Sequence, residues 1–134
     1  MAIKRIYKQL LILVFLLNIT LCVGQTGYIA HATLKNRIKN FTLIDSISGT
    51  KFMLDSTQIY VTAIDKNGKQ LWRTDPWKDN QLMEYRVKRP IIVLFNFAKN
   101  EWTDKKEVIW IVYNNTQFGM IKKSNGKFTW LGQD

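Results

Sequence analysis

Two pairs of carboxylates that flank tryptophans are the strongest candidates for catalytic chemistry in this sequence. Asp75 and Asp79 lie on either side of Trp77, while Glu101 and Asp104 flank a second tryptophan. Two carboxyl groups can cleave a glycosidic bond, and an acid beside an indole is typical of sites that act on sugars. Aspartate is equally common in turns, so both pairs also fit ordinary loops. A small hydrolase using these paired carboxylates is therefore kept as an alternative behind a non-catalytic role.

Other catalytic and metal-binding constellations are missing from the sequence. His31 is the only histidine, and Cys22, the only cysteine, lies within the first 24 residues, which are predicted below to be cleaved. The remaining chain can therefore assemble neither a zinc site nor a Cys-His pair. Calcium binding at Asp75 and Asp79 would need four or five oxygen ligands in register, which no loop supplies. We therefore predict no enzymatic activity, no metal and no cofactor.

A loop rich in aromatic and basic residues is a better candidate for a binding site. Tryptophan and arginine are the typical anchors of interfaces, and loops on rigid scaffolds collect recognition residues. In the alternative interpretation, Trp72 lies in a strand and belongs to the core. A second basic cluster follows a few residues later. The predicted contact surface consists of Trp72, Arg73, Trp77, Lys78, Arg86, Lys88 and Arg89.

The first 24 residues have the order of features found in a secretory signal peptide. A positive leader with Lys4, Arg5 and Lys8 precedes an apolar run from residue 10 to 23. The small residue Gly24 follows the run, as at a signal peptidase site. We predict cleavage after Gly24, which divides the chain into a helical signal peptide (1–24) and a single β domain (25–134). The domain would then be periplasmic or extracellular, with no stable membrane span.

Two other interpretations of the leader remain open. It could stay uncleaved as a membrane anchor, although an apolar run of this length is short for the hydrocarbon core of about 30 Å. Alternatively, Cys22 could be lipidated, although the enzyme prefers a small residue where Leu21 stands.

The composition of residues 25–134 predicts a domain held together by packing. The only cysteine leaves with the signal peptide, so hydrophobic burial must replace disulfides, and large aromatic rings supply it. The leader holds three of the 20 basic residues and none of the 10 acidic ones, so residues 25–134 have 17 basic against 10 acidic residues, a formal balance of +7, which favours anionic partners as well as solubility. Aromatics interleaved with cations are also typical of single-stranded nucleic acid binding, but export argues against that partner.

Alternation and β-branched runs recur along the chain, whereas helical periodicity is nearly absent. Strands are predicted at 28–35, 40–45, 50–54, 57–65, 69–73, 90–98, 107–113, 117–122 and 127–131. The apolar runs at 59–64, 91–98 and 108–113 are typical of central strands covered on both faces. The segment 76–84 is interpreted as a short helix or a loop. The predicted fold is all-β, a small antiparallel β-sandwich or up-and-down barrel of eight to ten strands.

Asn-Gly pairs mark the most specific turns. Asn67-Gly68 and Asn125-Gly126 predict hairpins with type I′ turns, and Asn114-Asn115-Thr116 predicts a third hairpin, which makes 107–131 a three-stranded meander. Alternating cations at 35, 37 and 39 are typical of an edge strand. The hairpin 61–72 resembles the inner hairpin of a quinoprotein-type propeller blade and is echoed at 122–130. Two copies cannot close a propeller, so no cofactor follows from this resemblance.

These patterns lead to three functional hypotheses. The first is an exported, non-catalytic binding module for a protein or an anionic envelope polymer. The second is an inhibitor or immunity-type protein with one tight protein partner. The third is the hydrolase described above.

Overall fold

A computed structural model describes residue 38 and the ranges 41–100 and 105–134. In chain order the elements are β1 (Thr42–Ile44), β2 (Lys51–Leu54), β3 (Val61–Ile64), β4 (Gln70–Thr74), α1 (Pro76–Asp79), β5 (Ile92–Lys99), β6 (Glu107–Tyr113), β7 (Phe118–Ile121) and β8 (Phe128–Gly132). The predicted all-β class is confirmed, and α1 is a single helical turn.

The strands form two four-stranded antiparallel sheets, each a simple meander. Sheet I has the order β1-β2-β3-β4, and sheet II has the order β5-β6-β7-β8. The predicted meander 107–131 is confirmed as β6, β7 and β8. Strands β3 and β6 are internal, as predicted from their apolar runs, but the outer face of β3 is not fully covered, since Thr62 and Ile64 are only half-buried. The run at 91–98 was also predicted to be a central strand, and this was wrong. Among the described strands, the corresponding β5 pairs only with β6 and lies at the edge of sheet II.

One hydrophobic core draws on both sheets. Phe52, Val61 and Ala63 of sheet I cluster with buried residues of sheet II, among them Ile109 and Ile111. These residues recur at every second position, because alternate side chains of a strand point to opposite faces. A second, smaller cluster lies on the other side of sheet II, away from this core. It explains why β6 is apolar at nearly every position.

Each strand of sheet I ends one residue before an aspartate, and these aspartates recur every ten residues. They are Asp45, Asp55, Asp65 and Asp75. In the first three turns, the carboxylate accepts backbone N–H groups that the turn leaves unpaired. The clearest case is Asp65, whose Oδ1 accepts from Asn67 N at 2.8 Å and Lys69 N at 2.9 Å. An Asx turn of this kind replaces ladder hydrogen bonds and allows the chain to reverse.

The predicted hairpins form, but their turns are not type I′. A type I′ turn needs positive φ at both central residues, and only the glycines adopt it, at φ 87° for Gly68 and 73° for Gly126. The same left-handed position is occupied by Gln58 and Thr116 in two other turns. At Asn67-Gly68 the Asp65 carboxylate organises the turn by accepting from Asn67 N and Lys69 N. At Asn125-Gly126 the Lys122 carbonyl accepts from Asn125 N and Gly126 N. Each arrangement has a single left-handed residue, the glycine.

The segment predicted at 76–84 is helical only at Pro76–Asp79. No helix in the described part of the chain is long and apolar enough to cross a membrane. Several predictions fall outside the described residues: the signal peptide, the strand at 28–35, His31, the cations at 35, 37 and 39, and the carboxylates at 101 and 104.

The Asp45 turn links folding to pH. Its carboxylate accepts from Ile47 N at 2.9 Å and from the Lys123 amine at 3.0 Å, so the pKa of Asp45 falls to about 2. A depressed pKa in the folded state gives stability that is present above the unfolded value of 3.8 and lost as the pH falls toward 2. We expect urea denaturation to find Asp45→Asn less stable than the parent at pH 6, with the difference shrinking toward pH 2. A constant difference would contradict this assignment.

Candidate functional site

The first carboxylate pair organises the junction between β4 and α1. Asp75 is the N-cap of α1, and its Oδ1 accepts from Lys78 N at 3.1 Å. Asp79 reaches back, and its Oδ2 accepts from Asp75 N and from Thr74 Oγ1, both at 2.9 Å. Pro76 occupies the first helical position, where no N–H is needed. This reciprocal arrangement is a form of capping box, so both carboxylates have a structural task.

Asp75 also forms a largely buried ion pair with Arg89. The Asp75 side chain is 5% exposed and that of Arg89 is 34% exposed, and the pair joins the start of α1 to the chain just before β5. The Arg89 guanidinium lies 5.3 Å from the centre of the Trp77 ring. A buried carboxylate requires such compensation. Arg89 is therefore committed to holding this junction together.

Trp77 is anchored rather than free. Its ring packs against the core, and its Nε1 donates to Gln117 Oε1 at 3.2 Å. Gln117 is buried in the β6–β7 turn, where it also accepts from Asn115 Nδ2 at 2.9 Å and donates to the Met83 carbonyl at 3.1 Å. The loop after α1 is thus fastened to sheet II through one amide side chain.

Tyr113 lies beneath this junction and is 1% exposed. Among the described residues, its hydroxyl is the buried side-chain polar atom without a hydrogen-bond partner. Burial, and next the carboxylate of Asp75, raise the pKa of Tyr113 well above its ordinary value. A tyrosine hydroxyl is protonated at neutral pH even at its ordinary pKa, and the upward shift moves it further from the range useful for proton transfer.

Arg73 points the other way, to the outer side of sheet I. The Arg73 guanidinium stacks over the ring of Tyr60, 4.2 Å from its centre. Beside the stacked pair is an open depression of about 310 Å³, lined by Tyr60, Arg73, Thr74, Asp75 and Asp79. Stacking holds the guanidinium while leaving its in-plane N–H donors available to a carboxylate or phosphate.

The surrounding surface is partly apolar. Thr42, Met53, Thr62 and Arg73 are partners in the sheet register and form one row across all four strands. We call this side of the sheet the exposed face of sheet I. Its large apolar residues are strongly exposed: Ile44 at 58%, Leu71 at 50% and Met53 at 40%. A solvated sheet face is usually polar, so these exposed apolar residues make this face a candidate contact surface.

Trp72 belongs to the core side of the sheet, as in the alternative interpretation. It packs against Phe52 and donates from Nε1 to the Lys123 carbonyl at 2.9 Å. Its ring covers Gly126, where an added Cβ would come within 2.7 Å of Trp72 Cε3. The two echoing hairpins of the sequence therefore pack on each other, and Trp72 joins them.

The remaining predicted contact residues are exposed but dispersed. Lys78 lies on α1, next to the junction, whereas Lys88 lies in the loop before β5. Arg86 is held over Tyr85, 5.0 Å from the ring centre. The described contacts bring Trp77, Arg89 and Asp75 together and place Arg73 beside them, but none of them joins Arg86 or Lys88 to this group.

Sequence reasoning missed the exposed face of sheet I. The signal was present in Lys51–Leu54, where buried Phe52 and Leu54 alternate with exposed residues and so point Met53 outward. The ten-residue aspartate repeat was a second readable signal. Within the described residues, no group of three or more His, Cys, Asp or Glu side chains could hold a metal ion.

Comparison with protein families, with curated proteins and with solved structures finds no match to this chain.

Proposed function

We propose that this protein is an exported, non-catalytic binding module that engages a protein or an anionic envelope polymer. The observation that carries the proposal is Arg73, which is stacked on Tyr60 on an exposed sheet face. Asp75 and Asp79 line the same depression, but no described carboxylate forms an ion pair with Arg73. An arginine fixed in this way is ready for a bidentate contact with an anionic group.

The proposed contact surface is the exposed face of sheet I together with Lys78 at its edge. Arg86 and Lys88 form a separate basic region outside this surface. Trp72, Trp77 and Arg89 are excluded from direct contact in this proposal, because their side chains hold the fold together through core packing, hydrogen bonds and an ion pair.

A single tight protein partner, as in an inhibitor or immunity-type protein, is a second candidate. The exposed Ile44, Met53 and Leu71 favour it, because methionine and other large apolar side chains near an arginine are typical of protein interfaces. A polysaccharide or phosphate polymer would instead select for cations and hydrogen-bonding groups.

The proposal includes removal of residues 1–24 by signal peptidase and a sandwich arrangement of the domain. The sandwich is supported by the single core that both sheets share, with no ladder between the described strands of the two sheets.

We expect Arg73→Ala to weaken binding of the partner about 30-fold, since truncation of an interface arginine often costs about 2 kcal/mol. The partner would be captured from envelope extract on immobilised protein, and its dissociation constant would then be measured for both forms. The melting temperature should stay close to that of the parent, because Arg73 lies outside the core.

Lys127→Ala is the matched control, since Lys127 is an exposed cation in the β7–β8 turn, which contacts Trp72 on the core side of sheet I rather than its exposed face. Equal affinity of the Arg73 and Lys127 variants would refute the proposed surface. Saturation at one partner per protein would favour the inhibitor-type candidate, whereas salt-sensitive binding without fixed stoichiometry would favour a polymer.

A further inference from the structure

A cavity of about 440 Å³ lies at the end of sheet II where β6 begins and where β7 turns into β8. Sites for small molecules usually measure roughly 300–1,000 Å³. The described lining residues include none of the Asp75 junction and none of the exposed face of sheet I. The cavity is therefore a feature of its own, beyond the proposed function.

One wall of the cavity is apolar. Val108 of β6 and Met120 of β7 line it, and both are largely buried, at 7% and 8% exposure. They point away from the shared core, because their neighbours Ile109 and Ile121 point into it. Ile47, from the β1–β2 turn, also lines the cavity and is 95% exposed. An isoleucine so exposed in a turn adds apolar surface where a ligand would enter.

The other wall carries a net positive charge. Lys106, Lys122 and Lys123 line the cavity together with one carboxylate, that of Glu107. The Lys123 amine is held by Glu107 at 2.6 Å and Asp45 at 3.0 Å. Burial by itself would lower the pKa of Lys123, but these two carboxylates outweigh it and raise the pKa. Lys123 is thus charged and already neutralised by its partners.

Lys122 supplies charge that is not neutralised in this way. It is exposed, and no described carboxylate lies within ion-pair distance of its amine. Its neighbourhood combines an apolar wall with an available cation. Apolar surface with a few placed polar groups is the usual composition of a small-molecule site, in which the charge fixes the orientation of the ligand.

We propose that this cavity binds a small amphiphile that has an apolar chain and one anionic headgroup. The chain lies against Val108 and Met120, and the headgroup lies at Lys122 on the rim. A purely apolar molecule would leave the cation unused, and an inorganic anion would leave the apolar wall wet. Only a ligand with both parts satisfies both walls.

The test is a displacement titration with the protein as recovered from expressing cells. Anilinonaphthalene sulfonate, itself an apolar anion, is the fluorescent reporter, and the competitors are decanoate, decyl phosphate, decanol and inorganic phosphate. We expect the apparent dissociation constant of decanoate or decyl phosphate in this titration to be at least about tenfold lower than that of decanol. The stronger of the two identifies a carboxylate or a phosphate headgroup. Inorganic phosphate should not compete.

Two variants locate the site. Lys122→Glu should weaken the effective competitor about tenfold or more, whereas Lys127→Glu, with the same change of charge on the same hairpin, should have no effect. Met120→Trp should fill the cavity and remove binding, with circular dichroism confirming that the variant is folded. Equal effects of the two lysine variants, or equal affinity for decanol and the anionic competitors, would overturn the proposal.

Discussion

Replacing Asp75 with alanine is expected to lower the free energy of unfolding by about 3–5 kcal/mol, the range for breaking a buried ion pair and losing a helix cap. The change removes the acceptor for Lys78 N and leaves Arg89 beside the Trp77 ring without its carboxylate. Arg89 is one-third exposed and can recover some hydration, which favours the lower end of the range. Urea denaturation followed by tryptophan fluorescence measures the change.

A double-mutant cycle separates the ion pair from the cap. Arg89→Ala removes only the ion pair and its stacking on Trp77, whereas Asp75→Ala removes the cap as well. We expect the double variant to be less destabilised than the sum of the single variants by about 1–3 kcal/mol. Lys78→Ala, an exposed position on the same helix, is the control and should stay within about 0.5 kcal/mol of the parent. Additive effects at Asp75 and Arg89 would show that the pair contributes no coupling.

Gly119→Ala is expected to destabilise the protein by about 3 kcal/mol or more, as large overpacking changes do in a rigid core. A Cβ at Gly119 would overlap the Thr129 carbonyl and would come within 2.5 Å of Phe128 Cζ. The carbonyl belongs to the neighbouring strand β8, so it cannot rotate away as a flexible side chain could. The Phe128 ring lies in the core cluster and has little room to move.

Gly68→Ala is the comparison for this prediction. No atom lies within 4 Å of a Cβ at Gly68, but its φ of +87° imposes backbone strain. The expected loss is about 1 kcal/mol, the usual cost of a left-handed conformation for alanine. Differential scanning calorimetry of the two variants would therefore separate steric overlap from strain. A Gly119 variant as stable as the Gly68 variant would show that β7 and β8 can move apart.

Much of the local structure of this protein was predictable from short stretches of chain. The alternation in Lys51–Leu54 and the β-branched run in Glu107–Tyr113 specify strands. Both are local patterns, because successive side chains of a strand point to opposite faces of the sheet. The hairpins at Asn67-Gly68 and Asn125-Gly126 were predictable as well, because a turn depends on a few adjacent residues. Their turn type was mispredicted because other acceptors organise both turns: the Asp65 side chain in the first and the Lys122 carbonyl in the second.

The candidate site was only partly predictable. Of the predicted contact residues, Arg73 and Lys78 are exposed, whereas Trp72 and Trp77 pack against the core and are held by hydrogen bonds. Their partners lie far away in the chain: Trp72 donates to a carbonyl 51 residues later, and Trp77 to an amide 40 residues later. No local pattern distinguishes a tryptophan that binds a ligand from one that fastens two sheets together.

The sequence by itself determined the strand content, the hairpin positions and the basic, disulfide-free character of residues 25–134, because these depend on composition and neighbouring residues. Only the tertiary structure decided which faces are covered. It buried Asp75 with Arg89, turned Arg73 outward onto Tyr60, and placed Lys122 beside the apolar wall of a cavity. Those outcomes depend on how two sheets pack, which is set by contacts between residues distant in the chain.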